Sequence, residues 1–272
     1  MTSPILVTGG TGILGSQVVT RLRDAGHEVR VLSRHARQPA DGVEYVSCDL
    51  LQNTGIETAV NGARVIVHCA GSQKGDELAT ANLVRAASRA GQPHLVYISV
   101  VGADRIPVVS SVDRMMFSYF ASKRATELVV SGSGLPWTTL RATQFYDLVL
   151  KVADSLAKMP AIPMPKGLLF QPVDSGEVAD RLVELALDSP AGLVPDMAGP
   201  RIYQGAEMMR EYLAARRLTK SIVPVPVPGQ AAGAIKAGAA TDPARAVGRR
   251  TWEDFLADRV ISSVGSPQRQ IR

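Results

Sequence analysis

A short apolar run, Ile5-Leu6-Val7, passes directly into a glycine-rich turn, Gly9-Gly10-Thr11-Gly12-Ile13-Leu14-Gly15, and then into an amphipathic stretch reaching Ala25. A buried strand that turns at once into a helix predicts the opening of a parallel βαβ unit, with the helix N-terminus at the strand's carboxyl end. The glycines have separable duties: Gly9 permits the tight turn, Gly12 lets backbone approach a ligand, and Gly15 lets the helix pack closely. Free N–H groups and the positive dipole end of such a helix suit a phosphate group, and the Thr11 hydroxyl can add a donor. The reading that follows is a pyrophosphate cradle. Its alternative is a glycine-rich turn with no ligand.

The rest of the first two-thirds repeats the alternation. Strands are predicted at Ile5–Thr8, Glu28–Ser33, Val43–Ser47, Val65–Cys69, Leu95–Ser99 and Trp137–Arg141, with helices at Gly12–Ala25, Gly55–Asn61, Asp76–Ala90 and about Val112–Ser131. Near-continuous apolar strands alternating with helices imply an α/β fold of the Rossmann type, a doubly wound parallel sheet flanked by helices. Past Arg141, Pro160, Pro163, Pro165 and Pro172 punctuate a loop-rich segment. Helices follow at Ser175–Leu187, with Asp174 or Ser175 as cap, and at Gly205–Arg216 and Thr251–Val260, around a strand-like Pro-Val-Pro-Val-Pro run. The division read from this pattern is a dinucleotide-binding core over 1–141, a mixed segment over 142–260 that completes the sheet edge and forms a small substrate-covering lobe, and a disordered tail over 261–272.

The end of the second strand bears on the cofactor. A site preferring NAD(H) places Asp or Glu there to hold the ribose 2′-hydroxyl. This chain has Val31-Leu32-Ser33-Arg34, with Arg37 three residues on. A guanidinium at that point pairs with a 2′-phosphate through charge-assisted hydrogen bonds, so NADP(H) is expected in preference to NAD(H). A plain surface arginine is the alternative.

Several classes are disfavoured. The two cysteines, Cys48 and Cys69, and four scattered histidines give no disulfide scaffold and no metal-ligand spacing, so no metal is expected. The net charge of +5 is spread along the chain, and Arg245, Arg249 and Arg250 are followed at once by Glu253, Asp254 and Asp258, which reads as a solvated face rather than a nucleic-acid footprint. The apolar tract 222–240 is broken by three prolines and Lys236, so no membrane span is expected. No basic stretch with an apolar core opens the chain, and a cytoplasmic protein is the expectation.

With these motifs in hand, the chain resembles the short-chain dehydrogenase/reductase superfamily, and within it the atypical, NmrA-like NAD(P)H-binding branch. Gly-Gly-Thr-Gly-Ile-Leu-Gly carries the resemblance first. Cys48-Asp49-Leu50, His68-Cys69-Ala70-Gly71, Val96-Tyr97-Ile98-Ser99, Leu135 to Arg141 and Thr251 to Leu256 extend it along nearly the whole chain. The resemblance implies a cofactor set of Gly9, Thr11, Gly12, Ile13, Leu14, Gly15, Ser33, Arg34, Arg37, Asp49, Leu50, Cys69, Ala70, Gly71, Ser99, Lys123, Gln144 and Phe145. It also implies a catalytic pair in Ser118-Tyr119-Phe120-Ala121-Ser122-Lys123. Tyr119 and Lys123 are four apart and share a helix face. In the superfamily the Tyr exchanges the proton, while the Lys binds the nicotinamide ribose and lowers the phenol pKa.

The superfamily's third catalytic group, a Ser or Thr after the fifth strand, falls on Val101, with Ser99 two residues earlier. Met115, Tyr119, Phe145, Met159 and Met164 are the candidates for an apolar substrate pocket, methionines adapting well to irregular ligands. The function implied is an NADPH-dependent oxidoreductase passing hydride to a small, mostly apolar or aromatic acceptor: an activated double bond, carbonyl, quinone or imine. The alternative is a non-catalytic NADP(H)-binding redox sensor of the NmrA type. The expected partner is a small molecule, with the chain a monomer or homodimer.

Overall fold

The computed structural model describes residues 3–35, 37–39, 42–71 and 75–264 of the chain. Its strands are β1 (Ile5–Thr8), β2 (Val29–Ser33), β3 (Val43–Ser47), β4 (Val65–His68), β5 (His94–Val100), β6 (Trp137–Ala142), β7 (Ala161–Pro165), β8 (Leu169–Phe170), β9 (Gly192–Leu193), β10 (Tyr203–Gln204) and β11 (Ser221–Val225). The helices are α1 (Ile13–Asp24), α2 (Ile56–Val60), α3 (Asp76–Arg89), α4 (Ser111–Ser131), α5 (Tyr146–Leu156), α6 (Ser175–Leu187), α7 (Gly205–Ala215), α8 (Gln230–Lys236) and α9 (Trp252–Val264).

Seven strands form one sheet in the order β3-β2-β1-β4-β5-β6-β9, and each pair in it is parallel. The alternation of strand side chains divides the core. Val7, Val31, Val67 and Ile98 face α1 and α6, while Leu6, Leu32, Ile66, Leu95 and Tyr97 face α2, α3 and α4. This is the doubly wound Rossmann-type arrangement. The strand order reverses between β1 and β4, which places the ligand crevice outside the carboxyl ends of those two strands.

Residues past Ala142 divide between two tasks. β9 pairs with β6 and α6 packs on α1, so both belong to the sheet layer. The small lobe is built from α5, the parallel pair β7–β11, the antiparallel pair β8–β10, α7 and α9 around a separate core. Three features depart from the sequence reading. The Pro-rich stretch expected as loop contains β7, whose parallel partner is β11. Tyr146–Leu156 is helical although no helix is predicted there. The last helix continues to Val264, so 261–264 are not tail, and residues 265–272 lie outside the described part of the chain.

Candidate active site

The glycine turn is shaped by close approach. Gly9 has φ of +67°, and a Cβ there would lie 2.6 Å from the Ala70 amide nitrogen. Both facts exclude a larger residue and bring the end of β1 against the loop after β4. At Gly15 a Cβ would run into the Gly9 carbonyl, so this glycine seats α1 on the turn. Gly10, which the sequence reading did not single out, is also close-packed, because its Cβ would meet a methyl of Val31 of β2 at 2.8 Å.

Helix α1 begins differently from α4 and α6. Ser110 and Asp113 form a reciprocal capping box at α4, and Asp174 accepts from the Gly176 N–H at α6. At α1 the cap residue is Gly12, no side chain accepts from the first turn, and no acidic residue stands in it. Its N–H groups and dipole end stay available to an anion.

A cleft of about 430 Å³ opens over this helix start. Gly9, Thr11, Gly12, Ser33, Arg34, Asp49, Leu50, Cys69, Ala70 and Gly71 line it, as do Thr8, Leu32, Cys48, Leu51, Asp76 and Ala79, which lie outside the expected cofactor set. The Ser33 hydroxyl donates to the His35 carbonyl at 2.7 Å. The Asp49 carboxylate accepts from the Leu51 and Gln52 amides, fixing the turn at the end of β3. Burial pushes the Cys69 thiol up to about 12, so it stays protonated and unreactive at neutral pH.

His68 ties the cleft floor together. Its Nε2 lies 2.9 Å from Thr80 Oγ1, which itself donates to the Asp76 carbonyl. That leaves Nε2 as the donor and Nδ1 as acceptor from Thr8 Oγ1 at 2.6 Å. Thr8 Oγ1 in turn accepts from the Ala70 N–H. One continuous relay therefore runs from the loop after β4 to the first turn of α3. Burial first, and the Lys123 charge second, push His68 down to about 3, so the ring is neutral.

Lys123 reaches the cleft wall from α4. It is 5% exposed, its Nζ donates to the Ile98 carbonyl at 3.2 Å, and the same atom would lie 3.5 Å from a Cβ on Gly71. Asp76 Oδ2 approaches Gly71 equally closely, so a cation and a carboxylate face the same stretch of backbone. Burial lowers the Lys123 pKa, opposed by Asp76, Cys69 and Glu127.

Tyr119 lies one turn earlier on α4, its ring centroid 5.8 Å from Lys123 Nζ. The expected lowering of its phenol pKa is not found. Burial of the hydroxyl and the Asp76 carboxylate push it up to about 12, while the Lys123 ammonium is engaged by Ile98 and by the face of Tyr97, 5.0 Å away. The phenol is protonated at neutral pH and suits a proton donor rather than a phenolate.

Other expected residues are placed elsewhere. Leu14 is buried in the sheet–helix core and does not line the cleft. Ile13 is half exposed and lines a surface groove with Asp147 and Arg259. Arg37 stacks over Tyr45, 5.8 Å from its centroid, and does not line the cleft. Ser99 points to the α4 side of the sheet, where its hydroxyl donates to Glu127 at 2.6 Å. Glu127 also receives two bonds from Arg141, each 2.7 Å, and Arg141 reaches Asp104 at 2.8 Å. This buried fork fastens α4 to β5 and β6. Val101, at the superfamily's hydroxyl position, is wholly buried.

The expected substrate pocket is corrected most. Met115 is 77% exposed and Met159 41% exposed, Phe145 packs on the core beneath α6, and Tyr119 stays at the α4 surface. None of these lines the apolar cavity the structure contains. That cavity, of about 400 Å³, lies in the lobe and includes Met164 and Gln144 in its wall. Gln144 is therefore placed on the lobe cavity rather than in the dinucleotide cleft. The signal for it was present but diffuse: Leu148 and Val152 on one face of an unpredicted helix, and paired methionines at 208 and 209.

Among the described residues, no group of three or more His, Cys, Asp or Glu side chains converges as a metal would require, and no helix is long and apolar enough to cross a membrane.

Comparison with known proteins agrees with this geometry. A family model described as NAD(P)H-binding matches residues 9–156. The Arabidopsis thaliana chloroplastic protein High Chlorophyll Fluorescence Phenotype 244 is 28% identical over 242 residues, covering 82% of this chain and 58% of that protein. A (4-alkanoyl-5-oxo-2,5-dihydrofuran-3-yl)methyl phosphate reductase from Streptomyces griseus is 32% identical over 157 residues, covering 56% of this chain and 51% of the enzyme. The chain thus spans a little over half the length of these curated relatives. Among solved structures, the NADPH-dependent quinone oxidoreductase QOR2 of Escherichia coli, complexed with NADPH, superposes with a TM-score of 0.77 at 16% identity, covering 94% of this chain and 99% of that one.

Proposed function

The chain belongs to the NAD(P)H-binding family, and from that premise we propose that it is an NADPH-dependent oxidoreductase delivering hydride to a small, mostly apolar or aromatic acceptor. The observation that carries the reading is the convergence of three features on one cleft: the open N-terminus of α1, Arg34 at the end of β2, and Lys123 beside Gly71. A bare dinucleotide-shaped turn has no need of a buried lysine facing it.

The residues fit the cofactor. The amides at the start of α1 and the Thr11 hydroxyl hold the pyrophosphate. Arg34 pairs with a 2′-phosphate, and no carboxylate at the β2 end competes for that place. Lys123 binds the nicotinamide ribose, with Asp76 balancing its charge. When bound, the nicotinamide supplies the hydride. Tyr119, held protonated, donates the proton that completes reduction of a carbonyl, quinone, imine or conjugated double bond. The acceptor is a small molecule, and the Streptomyces relative, whose name gives a dihydrofuranone with an alkanoyl substituent, is consistent with an unsaturated one. Val101, in place of a hydroxyl, favours a second reading: a dinucleotide sensor that turns nothing over.

Calorimetric titration with NADPH, NADH, NADP⁺ and NAD⁺ tests both. Tight NADPH binding is expected, with Arg34→Ala losing about 10- to 100-fold for NADPH and little for NADH, the worth of a charge-assisted pair. Equal losses for the two would remove the 2′-phosphate assignment. A strong preference for the oxidised forms would move the reading to the sensor.

A further inference from the structure

We propose that the cavity in the carboxy-terminal lobe is a hydrocarbon-binding site that takes the apolar chain or ring of the acceptor. The choice of acceptor rests on the hydride-transfer reading; the hydrocarbon site does not.

Four elements contribute its inner wall: Val149 and Ala153 from α5, Met164 from β7, Met208 and Met209 from α7, and Trp252 from α9. At about 400 Å³ it falls within the range of small-molecule sites. Polar groups in its lining are few, and the side-chain ones already hold partners within the protein. Gln144 is the one lining residue with an amide side chain; that amide donates to the Ala240 carbonyl and accepts from the Gln171 N–H. The Trp252 indole N–H donates to the Met208 carbonyl at 3.1 Å. A polar ligand group entering here would lose its water and find few partners in exchange. A hydrocarbon meets no such penalty, and the methionines adapt to its shape.

The wall is held open by rigid parts. Trp252 stacks on Tyr146 and on Phe255, with centroids 5.8 Å and 5.7 Å away. The Tyr146 hydroxyl donates to the Arg250 carbonyl. The side chains that would otherwise collapse into the space are pinned from behind. The mouth is apolar as well: Leu148 and Val152, one turn apart on α5, are 53% and 49% exposed. Gln144, one of its lining residues, is two residues beyond the last residue of β6. The cavity therefore begins at the carboxyl edge of the sheet, the edge on which the dinucleotide cleft opens. An acceptor with its reducible group at that edge would extend its apolar part into the lobe.

The test uses the full chain and two readouts. In the first, 11-bromo-undecanol is titrated without cofactor while tryptophan emission is followed, since bromine quenches an indole in contact with it. The chain has two tryptophans, and Trp137 lies against the sheet core, away from the lobe. Saturable quenching at one probe per chain is expected, absent in Trp252→Phe. Val152→Glu, a substitution at an exposed rim position, is expected to weaken it at least tenfold, and Ala153→Phe, which fills the cavity, to abolish it. In the second, NADPH-dependent reduction is measured for benzoquinones with alkyl tails of increasing length. A rise in kcat/KM of about fourfold per added methylene, levelling when the cavity is full, is expected, and Val152→Glu should flatten it. No quenching, or quenching indifferent to both cavity variants, overturns the site. Specific quenching with no turnover of any acceptor leaves the hydrocarbon site standing and overturns the hydride-transfer reading.

Discussion

The dinucleotide cleft and the lobe cavity are of similar volume, yet they are built by opposite means. Backbone makes the cleft: glycines at 9 and 15 that admit no Cβ, an uncapped helix start, and carboxyl ends of parallel strands. Side chains from distant parts of the chain make the cavity, where Tyr146, Trp252 and Phe255 stack and the Tyr203 hydroxyl and Met208 carbonyl accept the bonds that fix Trp252. A backbone site recognises what all dinucleotides share. A side-chain site can change its ligand by changing one residue, which suits the part of an oxidoreductase that selects the acceptor.

The sharpest way to break this contrast is Trp252→Ala. Removing a wholly buried indole that makes two aromatic contacts should cost about 3–5 kcal/mol. If the two regions are separable, the loss is confined to the lobe. Limited proteolysis should then cut within 205–260, while NADPH affinity changes by less than about threefold. Collapse of NADPH binding together with the lobe would show one cooperative unit and defeat the contrast.

Legibility in the sequence follows the same division. Strands β1 and β3 and helix α6 fall where the residues alone place them, because a buried strand ending in glycine and a helix opened by Asp174 are local signals. Leu32, Leu51 and Ala79 were not legible as cleft residues. They line it only because crossovers bring β2, the turn after β3 and α3 together. The lobe was the least legible. β7 reads as loop because Pro163 and Pro165 argue against a strand, and it is stabilised by its pairing with β11, some sixty residues away. The phenol of Tyr119 shows the same limit in electrostatics. Spacing brings Lys123 near it, but Asp76, which opposes the shift, comes from another helix.

The Glu127–Arg141 fork sharpens the contrast, because here the backbone-built half depends on side chains. Both members are nearly buried, 6% and 7% exposed, and their pairing holds α4, hence Lys123, against β5 and β6. Arg141→Met strands the Glu127 carboxylate with only Ser99 and Arg124 as partners, a loss of about 3 kcal/mol by urea unfolding. NADPH affinity should fall with it. Replacing both partners, Arg141→Met with Glu127→Leu, removes the stranded charge and should recover most of the stability. Failure of the double variant to recover would mean that the fork acts through geometry rather than charge.

The smallest effect, and the most local, belongs to His68. Its folded-state pKa, about 3, lies below the ordinary 6.5. Between those values the unfolded chain takes up a proton that the native ring refuses, so stability is complete above about pH 6.5 and declines as pH falls towards 3. His94 on β5 is lowered too, and acts in the same direction. His68→Asn removes one of these contributions. At pH 7.5 it should cost about 1–2 kcal/mol through the weakened bonds to Thr8 and Thr80. The deficit should shrink by up to about 1.4 kcal/mol for each pH unit below 6.5, so that near pH 5 the variant equals or exceeds the parent in urea midpoint. His94 and the carboxylates are common to both proteins and cancel in the difference. Parallel stability curves would mean that His68 carries its proton in the native state. The relay would then run with Nδ1–H donating to Thr8, whose hydroxyl proton would have to turn to another acceptor.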